Sequence, residues 1–250
     1  MDGHLIFNFK ANISEVIIPT SLNNPFGTYI PEIAKIAAKE FQEFITIESK
    51  DWKDDYEGQS GKMFGVLVVQ EEDNTTSYLG TVSGKLAGGS HCNKFIPSIF
   101  DETTDNNFIS RGLIEVTKIG NQIKAATDQS EIIYLKEKRR LKSIGLQKRL
   151  FDNYHFLNLS GQEKNIIGIF KDSSHGNPPS ASGECAAPKL IQYAIRHGLR
   201  PIALAEFWWG SPSKTGEKKQ GDFYPACKDR CRPILEYMLE DMKLYDEREV

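Results

Sequence analysis

Residues 63–86 read MFGVLVVQEEDNTTSYLGTVSGKL, and this stretch decides the fold. Two runs rich in β-branched and aromatic residues flank the polar segment EEDNTT. Such runs on either side of a polar turn predict a β-hairpin whose loop is longer than two residues. A third apolar run, residues 201–208 within LRPIALAEFWWG, predicts a further strand. We expect the hairpin and this strand to lie in one sheet.

Helical periodicity accounts for much of the remaining apolar sequence. The segment PEIAKIAAKEFQEFI (31–45) repeats apolar residues at helical spacing, and Pro31 suits a first helical turn. The middle of the chain, at 108–127 and 130–157, has apolar residues every three or four positions. The sequence therefore predicts an α+β protein: a small mixed or antiparallel sheet flanked by helices, with a helical excursion in the middle of the chain.

The segment KDSSHGNPPSASG (171–183) has the composition of a linker. It divides the chain into an N-terminal α+β region at 1–170, which includes the helical middle segment, and a C-terminal region at 184–250. The C-terminal region is predicted to form a helix, a strand, a polar loop and a final helix over CRPILEYMLEDMKLYD (231–246). We expect it to pack on the same sheet as the N-terminal region.

Composition narrows the class of protein. The chain has 250 residues, enough to bury a substantial core, and its net charge of −3 does not indicate a nucleic-acid binder as a whole. It begins without the pattern of a signal peptide, and its apolar runs are too short to span a bilayer. We expect a cytoplasmic protein without a membrane partner, in which the four cysteines are reduced rather than bridged.

Two prolines fix the positions of three cysteines. Proline is tolerated in a helix only in the first turn, so Pro188 places Cys185 at a helix start. By the same argument Pro233 places Cys231 at the start of the final helix, with Cys227 in the turn before it. The partial positive charge of helix N-termini favours thiolates, which are metal ligands. The pattern therefore indicates a zinc site made by Cys185, Cys227 and Cys231.

Two alternatives to a zinc site stay open from the residues alone: buried structural cysteines and a redox-active thiol. The spacing of Cys227 and Cys231 is CxxxC, whereas the common zinc knuckle is CxxC. A structural zinc takes four ligands, and a catalytic zinc takes three and a water. The candidates for a fourth ligand are Cys92, His91 and His175.

Two carboxylates are candidates for acid–base chemistry beside such a metal. Zinc-dependent base deaminases resemble part of the pattern: a ligand and a glutamate at one helix start and P-C-x-x-C at the next. Here Glu184 precedes Cys185 instead of following it by two residues, and the second motif is one residue longer. The other candidate is Glu206, within the apolar run at 201–208. It is either a site residue or a structural carboxylate, exposed at a strand edge or paired with Arg196 or Arg200.

A basic stretch in the second middle helix is the candidate for binding RNA. Its spacing on a helix and its lack of interleaved aromatic residues are also typical of a solvated helix face. Phosphate contact is the functional interpretation. The candidate RNA-binding residues are Lys136, Lys138, Arg139, Arg140, Lys142, Lys148 and Arg149.

Four long blocks carry a family resemblance: GKMFGVLVVQ, YLGTVSGKLAG, SGECAAPKLIQYAIRHGLRPIALAEFWWG and GDFYPACKDRCRPIL. Over about residues 15–243 the chain resembles the N-terminal extension of a subset of RluA-type pseudouridine synthases, without the catalytic domain. Synthases of that type use an aspartate within H-R-L-D, and the nearest stretch here, KRLFDNYH (148–155), lacks the motif.

The resemblance implies an accessory, RNA-binding module that lacks synthase activity and partners a separate catalytic domain. The alternative function is a zinc-dependent, deaminase-like hydrolase of a base or small amide, acting through Cys185, Cys227 and Cys231. In that case Glu184 or Glu206 would be the acid and base.

Overall fold

An antiparallel sheet of four strands is the centre of the computed structural model, which describes residues 5–48, 61–84, 92–100, 108–213 and 215–246. Its strands are β1 (Ile6–Asn8), β2 (Lys62–Gln70), β3 (Thr76–Val82) and β6 (Arg200–Trp209), in the order β1-β3-β2-β6. Strands β2 and β3 form the hairpin that the sequence predicts, with residues 71–75 as the connection. Strand β6 pairs with β2, opposing Leu204 to Leu67.

Helices cover both faces of this sheet. Helix α1 (Glu32–Glu48) buries Phe41 against one face, in a cluster that includes Val66 and Val68 of β2. The alternate residues of β2, Leu67 and Val69, point into the cluster on the other face. Because β2 is buried on both faces, its sequence is a continuous apolar run rather than an alternating one.

The second face is covered by the C-terminal half of the chain. Helix α5 (Ala186–Arg196) and helix α6 (Arg232–Met238) bury Leu190 and Leu235 in the same cluster as Leu67 and Leu204. The region at 184–250 therefore contributes both a strand and helices to the sheet that the earlier region begins. The proposed division of the chain at 171–183 stays a prediction.

The middle of the chain forms the predicted helical excursion. Helices α2 (Phe108–Ala125) and α3 (Gln129–Phe151) pack mainly against each other, and the Asp128 side chain accepts a hydrogen bond from the Glu131 N–H at the start of α3. A two-stranded sheet of β4 (His155–Leu157) and β5 (Glu163–Asn165) and the short helix α4 (Ile166–Lys171) follow. With six helices and six strands among the described residues, the predicted α+β class is confirmed.

The last helix is shorter than the sequence predicts. Its apolar spacing continues to residue 246, but α6 ends at Met238 and Asp241 has a left-handed φ of 66°. The backbone of Tyr245 then hydrogen-bonds to Leu22 and Asn24 at 3.1 and 2.9 Å. These bonds replace those that a longer helix would make.

The outer edge of β6 is covered by the rest of the chain. The Asn23 side chain accepts a hydrogen bond from the Leu204 N–H at 2.8 Å and donates to the Leu204 carbonyl at 3.1 Å. Further along, Tyr224 N–H donates to the Glu206 carbonyl at 3.0 Å. An edge satisfied in this way is closed to another strand.

Within the described residues, no helix is both long enough and apolar enough to cross a membrane.

Candidate metal centre

Three cysteines converge where α5 and α6 begin. Cys185 is the N-cap residue of α5 and Cys231 that of α6, and Cys227 lies in the turn before α6. The three Sγ atoms lie within 4.8 Å of one another, and those of Cys227 and Cys231 are 3.2 Å apart. The helix starts that the prolines predict are therefore present, and the tertiary fold places them side by side.

Packing of the two helices and pairing at the sheet edge bring the thiols together. Helix α6 lies against α5, and Cys231 is buried in the same cluster as Leu190 of α5. Just before Cys227, Tyr224 bonds to β6 and the Ala226 N–H donates to the Pro25 carbonyl at 2.8 Å. The chain that carries Cys227 is thus tied to the sheet on one side and to α6 on the other.

The thiols form one hydrogen-bonded group that favours a single thiolate. Hydrogen bonds with Cys185 and with Cys231 lower the pKa of Cys227. The bond with Cys227, together with burial, raises the pKa of Cys185, while the bond with Cys231 lowers it. Bonds with Cys185 and with Cys227, together with burial, raise the pKa of Cys231. We infer that Cys227, the exposed member, carries the negative charge and that its two neighbours donate to it.

Glu206 faces this group from β6. Its side chain is 6% exposed, and its Oε1 accepts a hydrogen bond at 3.2 Å from the N–H of Ala187, in the first turn of α5. Burial raises the pKa of Glu206 from 4.5 to about 7; the bond from Ala187 lowers it, and the negative charge of Cys227 raises it further. Its own charge contributes to the raised pKa of Cys185 and of Cys231.

The surroundings of Glu206 have room for water. A cavity of about 10 Å³, which is the space of about one water molecule, is lined in part by Glu206. Asn23 and the residues Tyr224, Pro225 and Ala226 also line this cavity. The exposed strand-edge location considered from the sequence is wrong for Glu206, because the side chain is buried and accepts from a backbone N–H.

Glu184 has a different environment. It accepts hydrogen bonds from the Tyr154 hydroxyl and, at 3.0 Å, from the Ser98 hydroxyl. Its backbone carbonyl accepts from the Gly84 N–H at 2.7 Å. These bonds tie Glu184 to the loop after β3 and to the core. Of the two carboxylates considered from the sequence, Glu206 is the one whose charge raises the pKa of Cys185 and of Cys231.

Lys189 is a buried charge that sequence reasoning missed. Only 3% of it is exposed, and its Nζ donates to the carbonyls of Val82 at 2.7 Å and Gly84 at 3.4 Å. Burial lowers the pKa of Lys189, and the charges of Glu184 and Cys185 oppose that effect. A lysine four residues after Cys185, between Pro188 and Leu190 in the apolar first half of the helix, was the available signal.

The candidates for a fourth ligand lie apart from the three thiols. Cys92 packs against the cluster on the α1 face of the sheet, whereas Cys185 and Cys231 belong to the opposite face. His175 is exposed and contacts the Phe170 ring. His91 lies outside the described residues. Among the residues that the structure describes, the group close enough to share a metal consists of the three cysteines.

The basic stretch lies on the exposed surface of α3. All seven of its candidate RNA-binding residues are exposed. Arg140 pairs with Glu137 at 2.7 Å, Lys142 pairs with Glu115 of α2, and Arg149 lies 4.0 Å from the Phe108 ring centre. Exposed ion pairs contribute little to stability, so these cations can exchange partners.

No protein-family model matches this chain, and no curated protein or solved structure has a significant match to it. The resemblance to the extension of RluA-type synthases therefore stays a prediction.

Proposed function

We propose that this protein is a zinc-dependent hydrolase that removes ammonia from a base or a small amide. The observation that carries the proposal is the convergence of three cysteine sulfurs at the start of α5, where the buried carboxylate of Glu206 accepts a hydrogen bond from the Ala187 N–H. A protein that needed only a packed core would place an apolar residue at this point of β6, because burying an ionisable group costs free energy.

The three thiols fit zinc in number and spacing. Two thiolates that share one tetrahedral zinc at about 2.3 Å are about 3.8 Å apart, and the sulfurs here lie within 4.8 Å of one another. Three protein ligands with one open position is the ligand count of catalytic zinc. When bound at such a position, zinc lowers the pKa of a water molecule toward neutrality.

Glu206 is the residue that would move protons in this reaction. A carboxylate can accept a proton from water and return it to a leaving amine, and in the metal-free protein burial raises the pKa of Glu206 to about 7. Overall, one water adds to the substrate and one ammonia leaves. In the deaminase signature the glutamate follows its ligand by two residues, which is the position of Ala187 here. Glu206 accepts from the Ala187 N–H and so supplies a carboxylate at that turn from the neighbouring strand.

Metal analysis of the purified protein is the first test. We expect about one zinc per chain, lost in Cys227→Ser and kept in Cys92→Ser, whose thiol lies on the other face of the sheet. A folded, active protein without metal would contradict the proposal.

Ammonia release is the second test, measured on a panel of nucleobases, nucleosides and small amides. We expect release by the zinc-loaded protein, and a loss of at least about 100-fold in Glu206→Gln with the zinc content unchanged. If Glu206→Gln keeps full activity and Glu184→Gln abolishes it, the acid–base role belongs to Glu184.

The proposal also concerns where the protein works. Zinc uptake requires thiols that are not oxidised to disulfides. A reducing compartment such as the cytoplasm keeps them available, which is the location that we propose.

RNA binding by α3, together with a separate pseudouridine synthase catalytic domain as partner, stays a prediction from the sequence. The exposure of all seven basic side chains supports it. It requires binding that weakens steeply with salt and is lost in Lys138→Ala/Arg139→Ala/Arg140→Ala.

A further inference from the structure

The hairpin of α2 and α3 carries most of the exposed apolar side chains in the described part of the chain. Six of the nine large apolar residues that are strongly exposed there lie on these two helices. Four of the six are on α3: Ile133, Tyr134, Leu141 and Ile144, each between 49% and 63% exposed. Apolar side chains grouped in this way on a soluble surface mark an interaction site.

The four side chains on α3 lie on one side of the helix, which they share with the exposed Glu137, the partner of Arg140. At 3.6 residues per turn they fall within an arc about 100° wide, opposite the side that packs on α2. From Ile133 to Ile144 they span about 16 Å at 1.5 Å per residue. We call these four residues the α3 stripe. A stripe of this shape matches the apolar face of another helix.

Basic side chains border the α3 stripe on both sides. On the same helical projection Lys136 and Arg140 lie along one edge and Lys138 along the other, with Lys138 Nζ 5.9 Å from the centre of the Tyr134 ring. The hairpin as a whole, residues 108–151, has ten basic and four acidic side chains, a net charge of +6. Since the net charge of the whole chain is −3, the net charge of the other 206 residues is −9.

We propose that the α3 stripe binds an acidic amphipathic helix of a partner protein. The apolar face of that helix would cover the stripe, and its flanking carboxylates would meet Lys136, Lys138 and Arg140. Two hairpins of this chain would bring two charges of +6 together, which disfavours pairing with a second copy. RNA would leave the aliphatic members exposed, because bases stack on aromatic rings and Tyr134 is the one ring in the stripe.

The experiment measures binding of the full chain to a fluorescent synthetic helix with leucines on one face and glutamates along its edges. The control is a peptide of the same composition in scrambled order, which has no apolar face. We expect the scrambled peptide to bind at least about 10-fold more weakly, and binding of the helix to weaken with salt. Equal binding of both peptides would overturn the proposal.

Variants of the stripe provide the second arm. Leu141→Ser/Ile144→Ser should weaken peptide binding at least about 10-fold, and the single variant Ile144→Ser less. Ile17→Ser, an exposed apolar residue outside the hairpin, should leave binding unchanged. Because all these side chains are exposed, the variants should keep the melting temperature of the parent chain.

Two further measurements decide between the possible occupants. Sedimentation of the parent chain should show a monomer; a dimer that Leu141→Ser/Ile144→Ser dissociates would assign the stripe to a second copy. A twelve-nucleotide oligouridylate should bind weakly or not at all. Tight RNA binding that the stripe variant leaves unchanged, with no binding of the acidic helix, would assign α3 to RNA.

Discussion

Replacing Glu206 by glutamine should stabilise the metal-free protein at neutral and alkaline pH. Glutamine keeps an oxygen to accept from the Ala187 N–H but cannot ionise. The folded state raises the pKa of Glu206 from 4.5 to about 7, so it favours the protonated carboxyl. The parent chain therefore loses stability as the pH rises through this window, and the loss is complete above it.

The size of this effect follows from the two pKa values. A tenfold change in proton affinity corresponds to about 1.4 kcal/mol, so the ionised carboxylate reduces the free energy of unfolding by about 1 kcal/mol at pH 5 and about 3 kcal/mol at pH 8. Glu206→Gln removes that penalty. We expect the free energy of unfolding of the variant to exceed that of the parent chain by these amounts, apart from a constant offset for the new amide.

Urea denaturation with a chelator and a reductant, at pH 5 and pH 8, measures the difference. The matched control is Glu184→Gln, which weakens the bonds from Tyr154 and Ser98 and should destabilise by about 1–3 kcal/mol at both pH values. A Glu206→Gln effect of the same size at pH 5 and pH 8 would refute the reasoning. With zinc bound, the positive charge favours the ionised carboxylate, so the pH dependence should shrink.

Three further predictions test the thiols, the sheet edge and the packing of α1. Zinc affinity should rise steeply with pH, because Cys185 and Cys231 hold their protons while Cys227 does not, so that about two protons are released per ion near neutrality. Competition with a chromophoric chelator measures the affinity, and an affinity that does not change with pH would contradict the prediction. Asn23→Ala should lower the free energy of unfolding by about 2–4 kcal/mol, because it leaves the buried N–H and carbonyl of Leu204 without partners. A loss below about 1 kcal/mol, measured by urea denaturation, would show that water replaces the side chain. Gly80→Ala should lower the free energy of unfolding by about 1–3 kcal/mol, because a Cβ there collides with the Phe41 ring. Gly145→Ala on exposed α3, where a Cβ meets nothing within 4 Å, should raise it by about 0.5–1 kcal/mol in the same measurement. Equal effects of the two substitutions would contradict this account.

The elements that the sequence predicts well are those with strong local signals. The apolar runs of the β2–β3 hairpin and of β6 allow few conformations other than buried strands. Pro188 and Pro233 mark the starts of α5 and α6 because proline excludes all later helical positions. The end of α6 was not predictable in this way, because long-range pairing of Tyr245 with residues 22–24 determines it.

The candidate site shows the same division between local and tertiary information. The prolines place each cysteine at a helix start, but only the packing of α6 on α5 brings the three sulfurs within 4.8 Å. For Glu206, a strand sequence cannot tell whether its polar residue faces solvent or a helix start, since that depends on which helix covers it. The covering helix here is α5, whose first-turn N–H at Ala187 points at the carboxylate.

The buried charges around the thiols are the strongest physical argument that this region has a chemical role. Glu206 and Lys189 are both nearly inaccessible to solvent, and burial shifts the pKa of each toward its neutral form. Glu206 accepts from a backbone N–H, and Lys189 donates to backbone carbonyls. Such groups destabilise a fold relative to apolar residues of similar size. A bound cation would reverse this for Glu206, because it stabilises the ionised form that the metal-free protein disfavours. If zinc raises the unfolding free energy more in the parent chain than in Glu206→Gln, the carboxylate is coupled to the metal. If zinc stabilises both chains equally, Glu206 has no part in the metal site.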